Sequence, residues 1–318
     1  MNRYLLRRSA EAVFTLLGAA LLVFFLLRVL PGDEITARFG IEAGALTNDQ
    51  VEALERYYGL DKSLVEQFFG WLGSVLSGNF GVSVTSGRPI SELIARALPV
   101  TIQLAVMSTM IGSVIGVAIG VMAASNENGI RDTAGQTFGL LGLGVPSFVI
   151  GATIISVLAS QFGYFPAAAP YATLWEDPLL NFQQLIFPAL TLGVGLAATS
   201  MRTTRSAFLE SSSQDFVRTA HGKGLSAGRV KYRHILHNSM IPVVTIIGIQ
   251  FGYLLGGTII IEEIFALPGM GRLVLTGIAQ REFAVVQSTV LVIAAMFVLV
   301  NLLVDLVYAR IDPRVRLR

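Results

Sequence analysis

The chain has 318 residues, of which 53% are hydrophobic and 14% charged, with a mean hydropathy of +0.66. Soluble proteins carry about a quarter charged residues, so this composition excludes an ordinary soluble domain and implies a polytopic membrane protein. A formal net charge of +2 requires no nucleic acid, and zero cysteines exclude disulfides, thiolate metal sites and cysteine nucleophiles.

The basic start, Met1 to Arg8, superficially suggests a signal peptide. The apolar run behind it, Ala12 to Leu30, has no small-residue cleavage site and is followed by further spans, so it is expected to be a retained helix. A bilayer core of roughly 30 Å needs about 20 apolar residues in a helix. Ala12 to Leu30, Val100 to Ala124, Gly135 to Ser160, Leu185 to Met201, Ile241 to Ile261 and Val285 to Tyr308 qualify, giving an all-α fold of six spans. Counting Lys and Arg on alternate sides places both termini in the cytoplasm. That side then carries Arg3, Arg7, Arg8, Arg131, the seven basic residues between 202 and 240, and four after Tyr308.

Residues 31–98 are too long for a connector and are expected to form a small, mainly helical extracytoplasmic insertion. Thr47 to Gln50 has a capping-box pattern opening a helix toward Tyr58. Asp61 is a candidate cap for a second helix carrying Leu64, Phe68, Leu72 and Val75. Gly78 to Gly87 reads as a turn-rich hairpin, and Ser91 as the cap of a short helix ending before Pro99. Residues 99–318 then form a five-helix core whose cytoplasmic loop spans 202–240.

That loop is the most polar part of the chain: seven of the 23 Lys and Arg and all three His lie in it. Ser212 and Asp215 have the spacing of a helix cap, so a short helix through Phe216 and Ala220 is expected to end near His221. Gly222 and Gly224 permit the positive φ that reverses a chain. A second helix is expected from Ser226 to near Asn238, with Pro242 opening the fifth span. A merely solvated basic loop would need neither caps nor paired glycines. The three histidines lack the carboxylate or thiolate neighbours a metal site would require, so no metal is assigned.

These residues match a known pattern. Arg218-Thr219-Ala220, Lys223-Gly224-Leu225-Ser226, Arg233-His234 and Asn238 through Ile241-Pro242 resemble the loop of the dipeptide, oligopeptide and nickel-type ABC importer permeases. The resemblance extends to Tyr4-Leu5-Leu6-Arg7-Arg8, Leu30-Pro31-Gly32-Asp33, Tyr58-Gly59-Leu60-Asp61 and Gly87-Arg88-Pro89-Ile90. It continues in Val145-Pro146-Ser147-Phe148 and in Phe265 through Arg272, and its long first external segment is similar to that of the first permease subunit of such systems. Arg218-Thr219-Ala220 departs from the Glu-Ala-Ala that names the loop in importers generally, and Lys223 stands where an Asp is usual.

The resemblance implies a permease subunit in a bacterial or archaeal plasma membrane. It implies three kinds of partner: a second, related permease, two ATPase subunits or domains, and an extracytoplasmic substrate-binding protein. It also implies that Phe216 and Ala220 enter a groove of the ATPase, that Gly224 sets the bend, and that Asp215, Arg218 and Arg233 belong to the same coupling surface. Peptides are the implied cargo, with nickel chelates, haem or glutathione as alternatives. No G-x-x-x-x-G-K-[ST] motif is present, so ATP and Mg are expected on partner subunits and none of this chain's residues is assigned as catalytic.

On the external side, Glu262, Phe265, Pro268, Gly269, Gly271 and Arg272 form either an ion-paired turn or a gate that touches the binding protein. The Pro-Gly and Gly positions are expected to make the tight turn. Glu262 and Glu263 as a catalytic pair lack a nucleophile or oxyanion donor. Glu11, Arg28 and Asp305 lie near span ends, where they reach water. A proton-driven secondary transporter, the alternative class, would hold a deep carboxylate or histidine, and none is evident. The spans carry neutral polar residues instead, including Gln103, Ser108, Thr191, Thr199 and Thr258, which either line a path or bond to backbone.

Overall fold

A computed structural model describes residues 2–29, 47, 49, 50, 53, 56, 61–165 and 170–311. Of the expected helix toward Tyr58, Asp49, Gln50, Ala53 and Arg56 are described and helical, and its capping box is present: Thr47 N–H donates to Gln50 Oε1 and Gln50 N–H to Thr47 Oγ1. The motifs at Leu30 to Asp33 and Tyr58 to Leu60, and Arg314, Arg316 and Arg318 lie outside the described residues. Among the described residues the architecture is helical, and the β pairing is the isolated antiparallel bridge between Val82 and Pro89. Among the described residues five helices are long and apolar enough to cross a membrane, or six if one bent pair counts as a span.

The chain divides into two compact units. One comprises Asn2–Thr101 with Pro268–Leu299. Helix α1 (Asn2–Val29) buries Ala20 and Phe24 against Phe68 of α2 (Leu64–Leu76), the two rings meeting edge to face at 5.4 Å. The cap of α2 is Ser63 and not Asp61: Ser63 Oγ accepts from Glu66 N–H while the Glu66 carboxylate accepts from Ser63 N–H, a reciprocal capping box. Gly78, Gly81 and Gly87 take positive φ in the turns that follow, as the hairpin reading requires. The Glu282 carboxylate then gathers three donors, Ser83 Oγ, Val84 N and Thr85 N.

Helix α3 (Ile90–Ala124) replaces the short helix expected to end before Pro99. Pro99 lies one turn or more inside its N-terminal end, and Ile90 begins the helix ahead of Ser91. Ile90, Ile94 and Ala97 pack with Met270 and Val285. Those two partners come from α11 (Met270–Ala279) and α12 (Phe283–Ile311).

The second unit comprises Ile102–Leu267 with Val300–Arg318. Its centre is α6 (Pro178–Ser212), capped by Asp177, whose carboxylate accepts from Leu180 N–H. Two-thirds of this helix's apolar window is buried, more than in the other candidate spans. Helix α3 lies against it along Gly112, Gly116 and Gly120, where an added Cβ would stand 2.6 to 2.7 Å from the carbonyls of Gly193, Ala197 and Met201. Only the missing side chains allow that approach.

The expected third span is broken into α4 (Ile130–Gly144) and α5 (Ser147–Phe162), which meet at 96°. Pro146 has no N–H to continue the ladder and drives the residue before it into extended conformation, and Val145 sits at φ −90°, ψ 121°. Many of the neutral span residues satisfy themselves: Ser108, Thr191 and Thr199 each donate to the carbonyl four residues earlier. Gln103 joins Asn181 and Tyr171 in a polar network at the start of α6.

Candidate functional site

The polar loop after α6 folds as a short helix, a tight reversal and a widened helical turn. Helix α7 (Asp215–Gly222) is eight residues long. Ser212 does not cap it: this residue ends α6 and its hydroxyl donates back to the Leu209 carbonyl, so Gln214 takes the cap position without a side-chain bond. Asp215 in the first turn places a negative charge at the positive end of the helix dipole.

The reversal is a Schellman motif. Leu225 N–H donates to Ala220 carbonyl and Gly224 N–H to His221 carbonyl, with Gly224 at φ +73°. Of the two glycines in the pattern, only Gly224 uses the left-handed region, since Gly222 is the last helical residue. Leu225 packs beside Ala220 on the core beneath, the apolar contact that usually accompanies this motif.

Beyond it, α8 (Ala227–Arg229) passes into a π-helical turn, Val230–Ile235, and then without interruption into α9 (Leu236–Gly257). The helix expected to stop near Asn238 therefore continues, with Pro242 inside α9 instead of opening it. Leu236 N–H donates to the Lys231 carbonyl five residues back, the π pattern. The wide turn brings Val230 and Ile235 onto one buried face.

A single apolar core supports the loop from below. Val217 and Ala220 of α7 meet Phe208 of α6, Val121 and Ala124 of α3, and Val230 and Ile235. Ala220, expected to enter a partner's groove, is 6% exposed and faces this chain's own core. The spacing of three that puts Val217 and Ala220 inward turns Asp215, Phe216, Arg218, Thr219 and His221 outward. Phe216 is 37% exposed, and Arg233 is also exposed, with Tyr232 beside it. Among the described residues no group of three His, Asp or Glu is placed to hold a metal ion.

One contact behind this core had no counterpart in the sequence reading. Arg205 on α6 makes a bidentate pair with Asp132 at the start of α4, Nε to Oδ1 at 2.6 Å and Nη2 to Oδ2 at 2.7 Å. Asn128 N–H and Gln136 Nε2 complete the carboxylate's shell. The Asp132 side chain is 1% exposed and that of Arg205 21%. The only sequence sign was a lone acidic residue next to Arg131 and an arginine beyond the apolar stretch of the fourth span.

The expected external group is divided between the two units. Glu262 lies in α10 (Ile259–Ile264) of the second unit and Phe265 is that helix's C-cap, and both are buried. Glu262 accepts from Thr258 Oγ1 at 2.8 Å. The reversal there falls on Ala266 at φ +53°, with Leu267 N–H donating to Glu262 carbonyl, and not on the glycines. Gly269 is extended at φ −93° and caps α11, Gly271 lies within that helix, Pro268 is exposed and Arg272 is half-buried.

Residues 116–317 match the binding-protein-dependent transport system inner membrane component, and residues 1–105 match the N-terminal component of the same systems. The chain belongs to this permease family. It is 40% identical over 317 residues to the glutathione transport system permease protein GsiC of Salmonella choleraesuis, covering 99% of both chains. It is 38% identical over 316 residues to the "Probable peptide ABC transporter permease protein y4tP" of Sinorhizobium fredii, covering 99% of this chain and all of that one. Among solved structures, the permease shares its fold with a chain of the MetNI methionine ABC transporter in an inward-facing form. That chain has 19% identity and a TM-score of 0.53, with 69% of this permease and 96% of it covered. A crystal structure of an amino acid ABC transporter with histidines matches similarly, at 17% identity and TM-score 0.51 over 70% and 94% of the two chains. The permease is thus a membrane transport subunit, as the loop and spans indicated.

Proposed function

We propose that this permease forms half of the translocation path of an ATP-driven importer of short peptides, glutathione among them. The observation that carries the coupling role is the two-faced packing of α7: Val217 and Ala220 anchor it to the permease core, while Asp215, Phe216 and Arg218 face away from that core. An ATPase groove that accepts the exposed face would move α7 and, through the shared core, α6, α3 and the π turn. Arg218 and Arg233 would pair with carboxylates of the ATPase. Both termini and this loop lie in the cytoplasm in this reading, which the excess of Lys and Arg on that side supports. A second permease of the same family completes the path, two ATPase subunits supply hydrolysis, and an extracytoplasmic binding protein delivers the peptide. The names of the 40% and 38% identical relatives support the peptide class.

The test is co-expression of the permease with its partner subunits and reconstitution in proteoliposomes. Phe216→Ala removes the exposed aromatic, whose loss at an interface costs about 2 kcal/mol or more. Gly224→Pro makes the left-handed turn inaccessible, because proline is fixed near φ −65°. Both variants are expected to insert but to lose uptake of radiolabelled glutathione and dialanine relative to ATP hydrolysed. Unaltered uptake in both would refute the coupling role, and uptake driven by an ion gradient without ATP would favour a secondary transporter.

A further inference from the structure

The buried pair Asp132–Arg205 sits between the loop core and the broken span. Arg205 precedes Phe208 by three residues on α6, one turn of helix, and Phe208 is a member of the core that seats α7. Asp132 lies in the first turn of α4, fifteen residues that run directly to the Val145–Pro146 break. Four donors saturate its carboxylate, two of them from the planar fork of Arg205, which fixes orientation as well as distance.

The rest of the interface between α4 and α6 is packed on glycines of α4. An added Cβ at Gly139 would stand 2.4 Å from Met201 Cε and 3.3 Å from Arg202 Cγ, and one at Gly142 2.9 Å from Ala198 Cβ, so side chains of α6 rest directly on the α4 backbone. Such van der Waals contacts resist separation but carry no directional bond. Among the described residues the ion pair is the one side-chain hydrogen-bonded link between these two helices, and it stands at the end nearest the loop core.

We propose that Asp132 and Arg205 are positioning residues that lock α4 to α6, so that movement of the loop core is delivered to the Val145–Pro146 break as one rigid lever. This rests on the coupling role proposed above for α7. Without the pair, α6 would follow the loop while α4 shifted against contacts that carry no directional bond, and the break would not receive the stroke. A buried pair of this kind costs desolvation and adds little stability on balance, which suits a device that specifies geometry.

The experiment uses the complete transporter, permease with partner subunits, in proteoliposomes. Asp132→Asn is the informative variant, because it removes the charge without burying an orphan carboxylate and leaves Arg205 able to reach water. Arg205→Lys keeps the charge and removes the fork. Uptake of radiolabelled glutathione per ATP hydrolysed is expected to fall roughly two- to thirtyfold in Asp132→Asn, and less in Arg205→Lys, with assembly and ATP hydrolysis retained. Spin labels at Ile130→Cys and Ser206→Cys, both exposed positions, should keep one separation with and without ATP in the wild type and change with nucleotide in Asp132→Asn. An unchanged ratio in assembled complexes, or a wild-type separation that moves with nucleotide, overturns the lever. If Asp132→Asn fails to assemble, the ratio in Arg205→Lys decides the same question. If the wild type shows no ATP-driven uptake, the proposed function fails, and the label separation alone still judges the clamp.

Discussion

Ala266 occupies a conformation that its side chain disfavours. It sits at φ +53°, where the Cβ of an L-residue crowds the following carbonyl, at a cost of roughly 1–2 kcal/mol. Its position is that of the glycine in the Schellman motif closing α7, where Gly224 pays no such cost. Ala266→Gly should therefore stabilise the permease by roughly 0.5 kcal/mol once the greater freedom of glycine in the unfolded chain is subtracted. A rise in the thermal unfolding midpoint in detergent checks this, and a fall would show that the alanine methyl is held by packing that outweighs the strain. The same comparison explains why the turn was misplaced by sequence reasoning. Pro268, Gly269 and Gly271 carry the usual residue types for a reversal, yet Gly269 is extended and Gly271 helical, and the left-handed residue is one that composition never marks.

The elements around the loop owe their arrangement to interruptions of the α-helical repeat. The π turn, Val230–Ile235, adds one residue to the ladder and so turns everything after it by about 100° relative to a regular helix. Deleting Tyr232, an exposed residue within it, should restore α-helical register and leave Val230 and Ile235 four residues apart, still on one face. The expected result is a permease that inserts and keeps the core under α7, read as protection from proteolysis between residues 213 and 226 and retained ATPase binding. Cleavage there or loss of the bound ATPase would mean that the wide turn itself is required. None of this was visible in sequence, because a widened turn leaves the residue types unchanged. The second interruption, Pro146, was visible as a proline within an apolar run, but its consequence was not. A proline inside α6 or α9 is accommodated in a continuous helix, whereas Pro146 ends α4 and opens α5 at 96°.

For the whole molecule, apolar runs of span length were enough to find the candidate spans, and the polar loop between the fourth and fifth pointed to the surface proposed here for a partner. What sequence could not assign was which face of that surface is already used. Ala220 belongs to a motif associated with partner docking, but three-residue spacing from Val217 turns it into the permease's own core and leaves Phe216 outside. Likewise Asp132 and Arg205, 73 residues apart, carry no mutual signal until α4 and α6 are laid together. The coupling role proposed here requires the Phe216 face of α7 to dock into the ATPase. Because the chain has no cysteine, Phe216→Cys creates a unique attachment point for a short thiol-reactive photo-cross-linker in native membranes. A cross-linked product with the ATPase subunit is expected from position 216 and none from Ala220→Cys; cross-linking from 220 but not 216, or from neither, would contradict docking through Phe216.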